Sequence, residues 1–322
     1  MCVILLVPLA GAFVYTTDSV ISVSGDLHTY LTDYRDGKYD NVGSIILIGG
    51  SSLNGLGIRE ESLETLLGRE VVKVPMAGGT PWEQYMILRR YPEEFHKVDI
   101  LILDLDPRHW IYVKDNPNPY VRQSRFCRLA TWADISDFSF FDIMRVYLFS
   151  YRKNIKELLD IFGNMHRARM DSIWDNDAFE NIKDNLAQDR KARATIDLPK
   201  ANELHLDARA QKFAMRLVEF CKEHHILLVF NIPHYRPDYA KQIQYMYEWP
   251  PFVAFMAKLE ANENVAIVRS PASFRDMGYD VDDDLYFLDY GHMSREGAQM
   301  YTNWLAHRLQ VIAKTNHPSA SK

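Results

Sequence analysis

Short unbroken apolar runs alternate along the chain with longer stretches of helical spacing. Ser44 is followed by Ile45-Ile46-Leu47-Ile48, which ends in Gly49-Gly50. A run of that length stopped by glycines predicts a strand buried on both faces and then a tight turn. A polar helix is predicted ahead of it over 26–39, and helical spacing follows it over 58–67. Val71-Val72-Lys73-Val74 predicts a second strand, ending at Pro75-Met76-Ala77-Gly78-Gly79-Thr80. Thr80 as N-cap and Pro81 at the first position open a helix over 81–91, and a third strand is predicted over 98–103. Strand, glycine turn, helix and strand thus recur in the order of a parallel sheet with crossover helices.

From 106 to about 202 the rhythm breaks into aromatic-rich turns, a long helical stretch over 140–162 and a charged run over 175–193. This is an insertion, to be read either as a cap over the site or as helices packing on the scaffold. The α/β pattern resumes with a helix over 206–224, a strand over 226–231, a helix within 239–259, a strand over 265–268 and a closing helix over 294–313. The expected organisation is a leader at 1–17, one α/β domain in two parts (18–106 and 203–314), a helical insertion or cap at 107–202, and a frayed polar tail at 315–322.

Composition adds exclusions. An apolar content of 47% and charged content of 25% are those of an ordinary globular chain, and a net charge of −6 with no basic stripe argues against a nucleic-acid partner. The three cysteines, Cys2, Cys127 and Cys221, do not define a redox compartment, and no CxxC pair or HExxH helix suggests a zinc site. Asp280, Asp282, Asp283 and Asp284 lack calcium-loop spacing and read as a solvated loop. No metal or cofactor is therefore expected. The uncharged stretch 1–17 is short for a membrane span and has no basic n-region, but Ala10-Gly11-Ala12 fits a small-x-small cleavage pattern. It reads as a signal peptide or anchor, with a short membrane-associated helix or a buried first element as alternatives; export is expected, with the body outside the cytoplasmic membrane.

Two distant segments carry candidate chemistry. Gly49-Gly50-Ser51-Ser52-Leu53-Asn54-Gly55 follows the first strand, at the carboxyl edge where ligands of open α/β sheets bind. Asp289-Tyr290-Gly291-His292 precedes the closing helix. A hydroxyl is a poor nucleophile at neutral pH and needs a neutral imidazole within reach, held in the right tautomer by a carboxylate. Ser52 is the expected nucleophile and Ser51 its rival, with His292 as base and Asp289 as orienter; a plain helix-capping turn and a capping acid are the bland alternatives. Acyl transfer also needs donors for a developing oxyanion, for which the Ser52 amide and Gly78 or Gly79 are candidates. His234 and Arg236, in Asn231-Ile232-Pro233-His234-Tyr235-Arg236-Pro237 after the fourth strand, are candidates for holding a polar or anionic substrate group.

These blocks resemble the SGNH/GDSL hydrolase superfamily: Gly50-Ser51-Ser52-Leu53 is similar to its GDS block, Gly78-Gly79 loosely to its glycine block, and Asp289-x-x-His292 to its DxxH block. The resemblance implies a three-layer αβα flavodoxin-like parallel sheet and a Ser52, His292, Asp289 triad. It fails at the third block, where Asp106 stands in place of an oxyanion-binding Asn and, when ionised, cannot donate. Either Arg108 or His109 supplies a donor, or the hole uses backbone amides alone, or the site is catalytically weak. Asp106-Pro107-Arg108-His109-Trp110 resembles the Ser-Pro-x-Trp-Phe turn of D-alanine transfer proteins. With the apolar leader, this implies kinship with envelope-polymer O-acyltransferases such as the alginate O-acetyltransferases. The implied partners are an acyl donor, a glycan or lipid acceptor, the membrane through the N-terminal segment, and envelope-assembly proteins. A non-catalytic SGNH-like binding module in such a complex is the competing expectation, and a cytoplasmic ester hydrolase a third.

Overall fold

A computed structural model of the chain describes residues 25–75, 81–113, 200–281 and 283–316. The leader, Gly78 and Gly79, most of the insertion and the tail lie outside the described residues, as do the readings that rest on them. Among the described residues no helix is long and apolar enough to cross a membrane.

The elements are α1 (Gly25–Arg35), β1 (Ile45–Ile48), α2 (Ser52–Gly57), α3 (Glu60–Leu67), β2 (Glu70–Lys73), α4 (Pro81–Arg90) and β3 (Val98–Asp104), then a 3₁₀ turn at Pro107–His109 and β4 (Ile111–Val113). After the insertion come β5 (Leu204–Leu206), α5 (Ala208–Glu223), β6 (Leu227–Ile232), α6 (Pro237–Tyr247), α7 (Pro250–Glu260), β7 (Val265–Arg269) and α8 (Arg295–Asn316). Five strands form one all-parallel sheet in the order β2-β1-β3-β6-β7. Counted within that sheet the order is 2-1-3-4-5, the doubly wound arrangement whose crevice opens where the connections reverse direction, between the carboxyl ends of β1 and β3.

Parallel strands covered by helices on both faces read as continuous apolar runs, and all four residues of β1 are buried. Their side chains alternate between two cores. Ile45, Leu47, Leu101, Leu103, Leu228 and Phe230 pack with α1, α4, α5 and α7, whereas Ile46, Ile48, Ile100, Ile102 and Val229 pack with α3 and α8. The result is an α/β fold in three layers.

Two sequence expectations are corrected. The helix expected within 239–259 is two helices, because Pro250 and Pro251 lack the amides a continuing helix needs and instead occupy the first turn of α7. The stretches flanking the insertion also hold strands that the apolar pattern did not reveal. β4 pairs antiparallel with β5, Ile111 opposite Leu206 and Val113 opposite Leu204, so the stretches on either side of 114–199 form a two-stranded ribbon. Leu206, expected in a helix, is the last residue of β5.

Candidate active site

The first strand delivers the chain to the crevice between β1 and β3. Gly49 N donates to Ile102 O at 2.9 Å, and Gly50 then turns with φ +88°, a left-handed conformation that disfavours any residue with a Cβ. A Cβ on Gly50 would stand 2.1 Å from Asp104 Oδ1, and one on Gly49 2.5 Å from Gln84 Oε1. Close approach constrains both glycines, and the turn requires Gly50 as well. Ser51 is the N-cap of α2, its hydroxyl accepting from Leu53 N at 3.2 Å, and Ser52 is the first helical residue. An amide at that position has no carbonyl one turn back within the helix.

The second segment forms a short stapled loop. Phe287 and Met293 make an antiparallel bridge, Leu288 N donates to His292 O at 2.7 Å, and Ser294 N donates to Tyr286 O at 2.9 Å as α8 begins. Gly291 lets the loop lie against the residue after Ser52, since a Cβ there would stand 2.9 Å from Leu53 Cδ2 and 3.3 Å from Tyr235 Cδ1. Helix α8 fastens the same neighbourhood from behind: Arg59 N donates to Thr302 Oγ1 at 2.9 Å, and Ser62 Oγ donates to Gln299 Oε1 at 2.6 Å.

Packing of the loop on α2 brings residues 240 positions apart into contact: Ser52 Oγ and His292 Nε2 are 2.9 Å apart. His292 Nδ1 lies 2.7 Å from Asp289 Oδ2, and Asp289 Oδ1 accepts from Gly291 N at 2.8 Å and His292 N at 2.9 Å. Burial acts to raise the Asp289 pKa, but the hydrogen bond and charge of His292 and the two backbone amides outweigh it, holding the carboxyl below its ordinary value. An ionised Asp289 accepts a hydrogen bond from Nδ1–H, which fixes the proton there and leaves Nε2 as the acceptor facing the Ser52 hydroxyl.

Ser51 lies in a different environment. It is 2% exposed, its hydroxyl donates to Asp104 Oδ2 at 2.9 Å, and its amide donates to Asp104 Oδ1 at 2.5 Å. His109 Nδ1 stands 3.4 Å from Asp104 Oδ2 without forming a hydrogen bond. The rival serine thus gives its hydroxyl hydrogen to a buried carboxylate, and His109, the imidazole beside that carboxylate, makes no hydrogen bond through Nδ1.

Asp106 is fully buried and committed to Arg108. Its Oδ1 accepts from Arg108 N and Nε, each at 2.9 Å, and its Oδ2 accepts from Nε at 2.8 Å and from Nη2. Burial would raise its pKa, but the guanidinium overrides that and holds the carboxyl at about 2. Arg108 Nη1 donates to Tyr290 Oη at 3.2 Å, and the guanidinium lies over the Tyr290 and Tyr239 rings, 5.3 and 5.8 Å from their centroids. Arg108 therefore reaches the loop that carries His292.

The remaining candidates are placed elsewhere. His234 is 1% exposed among Phe274, Phe287 and Tyr301, with Nδ1 donating to Pro271 O at 3.1 Å, and burial lowers its pKa to about 4. Expected to line the substrate pocket, it lies buried with its ring stacked on Tyr301 of the closing helix. Arg236 is paired with Asp238 through Nε at 2.7 Å and Nη2 at 2.8 Å, at the start of α6.

Three residues around the turn escaped sequence reasoning: Asp104, Gln84 and Asn54. Asn54 Nδ2 donates to Gly49 O at 3.2 Å, Asn231 Nδ2 donates to Asn54 Oδ1 at 3.1 Å, and Tyr301 Oη donates to Asn231 Oδ1 at 2.6 Å, a buried chain beneath the turn. The one available signal was an acid, Asp104, inside the apolar end of a buried strand. Among the described residues no cluster of His, Cys, Asp and Glu is gathered to hold a metal ion. The fold and site define an open parallel α/β protein with a serine and an imidazole at its crevice. No family model matches the chain, and no curated protein matches it in sequence.

Proposed function

We propose that the protein is a serine-dependent esterase or O-acyltransferase of the SGNH/GDSL type, acting on a glycan or lipid of the cell envelope. The observation that carries this reading is the ordered contact Ser52 Oγ to His292 Nε2 at 2.9 Å and His292 Nδ1 to Asp289 Oδ2 at 2.7 Å, at the carboxyl edge of the sheet. In the first half-reaction His292 Nε2 takes the Ser52 proton while Oγ bonds to the acyl carbon, and Asp289 holds the imidazolium. Collapse breaks the bond to the leaving oxygen, which departs with the proton from His292 and leaves an acyl group on Ser52. Water or an acceptor hydroxyl then gives its proton to His292 as its oxygen bonds to the acyl carbon, and the bond to Ser52 Oγ breaks with His292 returning the proton to that oxygen. The Ser52 amide is one donor to the oxyanion. The envelope substrate and membrane tether rest on the apolar leader and on the resemblance of the 106–110 turn.

One observation favours a second reading, a non-catalytic SGNH-like module that binds a glycan or a protein of an envelope-assembly complex. Asp106, at the position of the Asn donor, is fully buried and committed to Arg108. Fluorophosphonate labelling separates the two. The enzyme reading expects a label on Ser52 of the wild type that disappears in Ser52→Ala, whereas a folded wild type that takes no label supports the binding module.

A further inference from the structure

Asp104 stands at the carboxyl end of β3, in register with Asn231 of β6, directly under the turn that carries Ser52. Its two oxygens are divided between the two polar groups of one residue: Oδ1 accepts from the Ser51 amide at 2.5 Å and Oδ2 from the Ser51 hydroxyl at 2.9 Å. That same hydroxyl accepts from Leu53 N at 3.2 Å, so one carboxylate governs the backbone immediately before and immediately after Ser52. The turn has no slack against it, because a Cβ on Gly50 would meet Asp104 Oδ1 at 2.1 Å and Asp104 N at 3.0 Å. Where the GDS-like block carries Ser51 in place of its acid, an acid from the neighbouring strand occupies the space beneath.

We propose that Asp104 is a positioning residue of this site: by holding both the amide and the hydroxyl of Ser51, its carboxylate sets the rotation of the turn that presents Ser52 Oγ to His292 and turns the Ser52 amide outward. The inference rests on the reading of Ser52 as nucleophile. Asp104 touches no reacting atom and acts through Ser51. Burial, with the neighbouring Asp106, raises the Asp104 pKa above the ordinary carboxylate value against the opposing charge of His109 and the Ser51 bonds. Keeping this carboxylate charged therefore works against folding, the pattern expected where a strained or costly group serves a site.

That opposition of signs gives the test. Asp104→Asn keeps the shape and an acceptor for the Ser51 amide, removes the buried charge, and offers the Ser51 hydroxyl a donor where it had an acceptor. The variant should melt at or above the wild-type temperature. Its second-order rate of labelling by a fluorophosphonate should fall roughly tenfold to hundredfold, the size of effect that a small misplacement of a reacting group produces. Ser51→Ala, which keeps the amide bond and loses the hydroxyl bond, should lower the rate by a smaller factor. The double variant should lose less than the product of the two, because both act through one contact. A folded Asp104→Asn protein labelled at the wild-type rate overturns the proposal, as does a rate that falls only with the folded fraction. If Asp104→Asn does not fold, a Ser51→Ala rate equal to wild type overturns it instead. A folded wild type that takes no label removes the nucleophile reading itself, an outcome distinct from either.

Discussion

Two sets of serine, histidine and aspartate begin at adjacent residues and are connected in different orders. In the outer set the imidazole stands between the other two, with Ser52 Oγ 2.9 Å from Nε2 and Asp289 Oδ2 2.7 Å from Nδ1. In the inner set the carboxylate stands in the middle, 2.9 Å from Ser51 Oγ, and His109 lies 3.4 Å away without a hydrogen bond. The residue types are the same and the chemical capacity is not. A carboxylate bonded directly to a hydroxyl is too weak a base to deprotonate it at neutral pH, whereas an imidazole oriented by a carboxylate is matched to that task. The inner set holds a turn, and under the proposed function the outer set is the one that moves the proton.

The comparison is broken most severely by removing the orienting acid of the outer set. Asp289→Asn turns an acceptor into an amide that can stabilise the wrong tautomer of His292. The fluorophosphonate labelling rate should fall about 10³- to 10⁴-fold while the melting temperature changes little. His109→Gln, made in the inner set, should leave the rate close to that of wild type. Equal losses in the two variants would mean that the order of connection does not decide reactivity here.

The next largest effect is expected on stability and separates two acids that sit two residues apart. Arg108→Leu leaves Asp106 buried without its counter-charge and should cost about 3–5 kcal/mol in denaturant unfolding. The pH dependence carries the signs. Asp106, held at about 2 in the fold, contributes stability that is fully present above the unfolded carboxylate value and is lost as pH falls through about 2. From the size of that shift the contribution is about 2 kcal/mol, and Arg108→Leu should abolish it. Asp104, whose pKa is raised by burial, has the opposite sign: stability declines as pH rises from the unfolded carboxylate value through the higher folded one. Unfolding free energies measured across the acid range in wild type, Arg108→Leu and Asp104→Asn should show both slopes. A wild-type profile unchanged by Arg108→Leu would remove the ion pair from the account.

Which of these features could be read from the chain follows from how local each one is. The strands of the main sheet are short apolar runs ended by turn residues, and Ile45 to Ile48 needs no distant partner to be recognised. The residues brought together at Ser52 and His292 were also legible, because a glycine turn after a strand and an acid three residues before a histidine are local patterns. Asp104 was not, since its role depends on the lateral pairing of β1 with β3 and on a turn 53 positions away. β4 and β5 are three residues each and pair across the whole insertion, so neither carries enough periodicity alone. The burial of His234 was hidden for the same reason, because the Tyr301 ring on which it stacks comes from the closing helix. The break at Pro250 was written in the sequence and concerned a boundary, where helical periodicity says least.

A smaller perturbation sharpens the contrast between the two sets by moving only one. Gly291→Ala adds a methyl 2.9 Å from Leu53 Cδ2 and 3.3 Å from the Tyr235 ring, at a backbone angle that any residue adopts. The Leu53 contact is with the end of a flexible side chain, so the loop and α2 can part slightly, at about 1–3 kcal/mol of overpacking. That displacement moves His292 relative to Ser52 and leaves Ser51 on Asp104. A modest loss of labelling rate with a lowered melting temperature is expected, and a loss of labelling as large as that of Asp289→Asn would place the Gly291 contact among the determinants of the relay itself.

The smallest effect is expected where a charged pair only looks functional. Arg236 is joined to the His292 loop through its backbone, its amide donating to Tyr290 O at 3.0 Å, and a cation anchored there invites reading as a substrate contact. Both of its bonded nitrogens are nonetheless taken by Asp238, whose carboxyl is lowered chiefly by that hydrogen bond and is about half exposed. An exposed pair of this kind contributes at most about 1 kcal/mol. Asp238→Asn should therefore shift the unfolding midpoint slightly and leave labelling by a small uncharged probe at the wild-type rate, while removing the carboxylate charge beside the guanidinium. If the loss of that charge instead raises the labelling rate of an anionic probe over a neutral one, the pair is a gate on a substrate charge and belongs with the outer set after all.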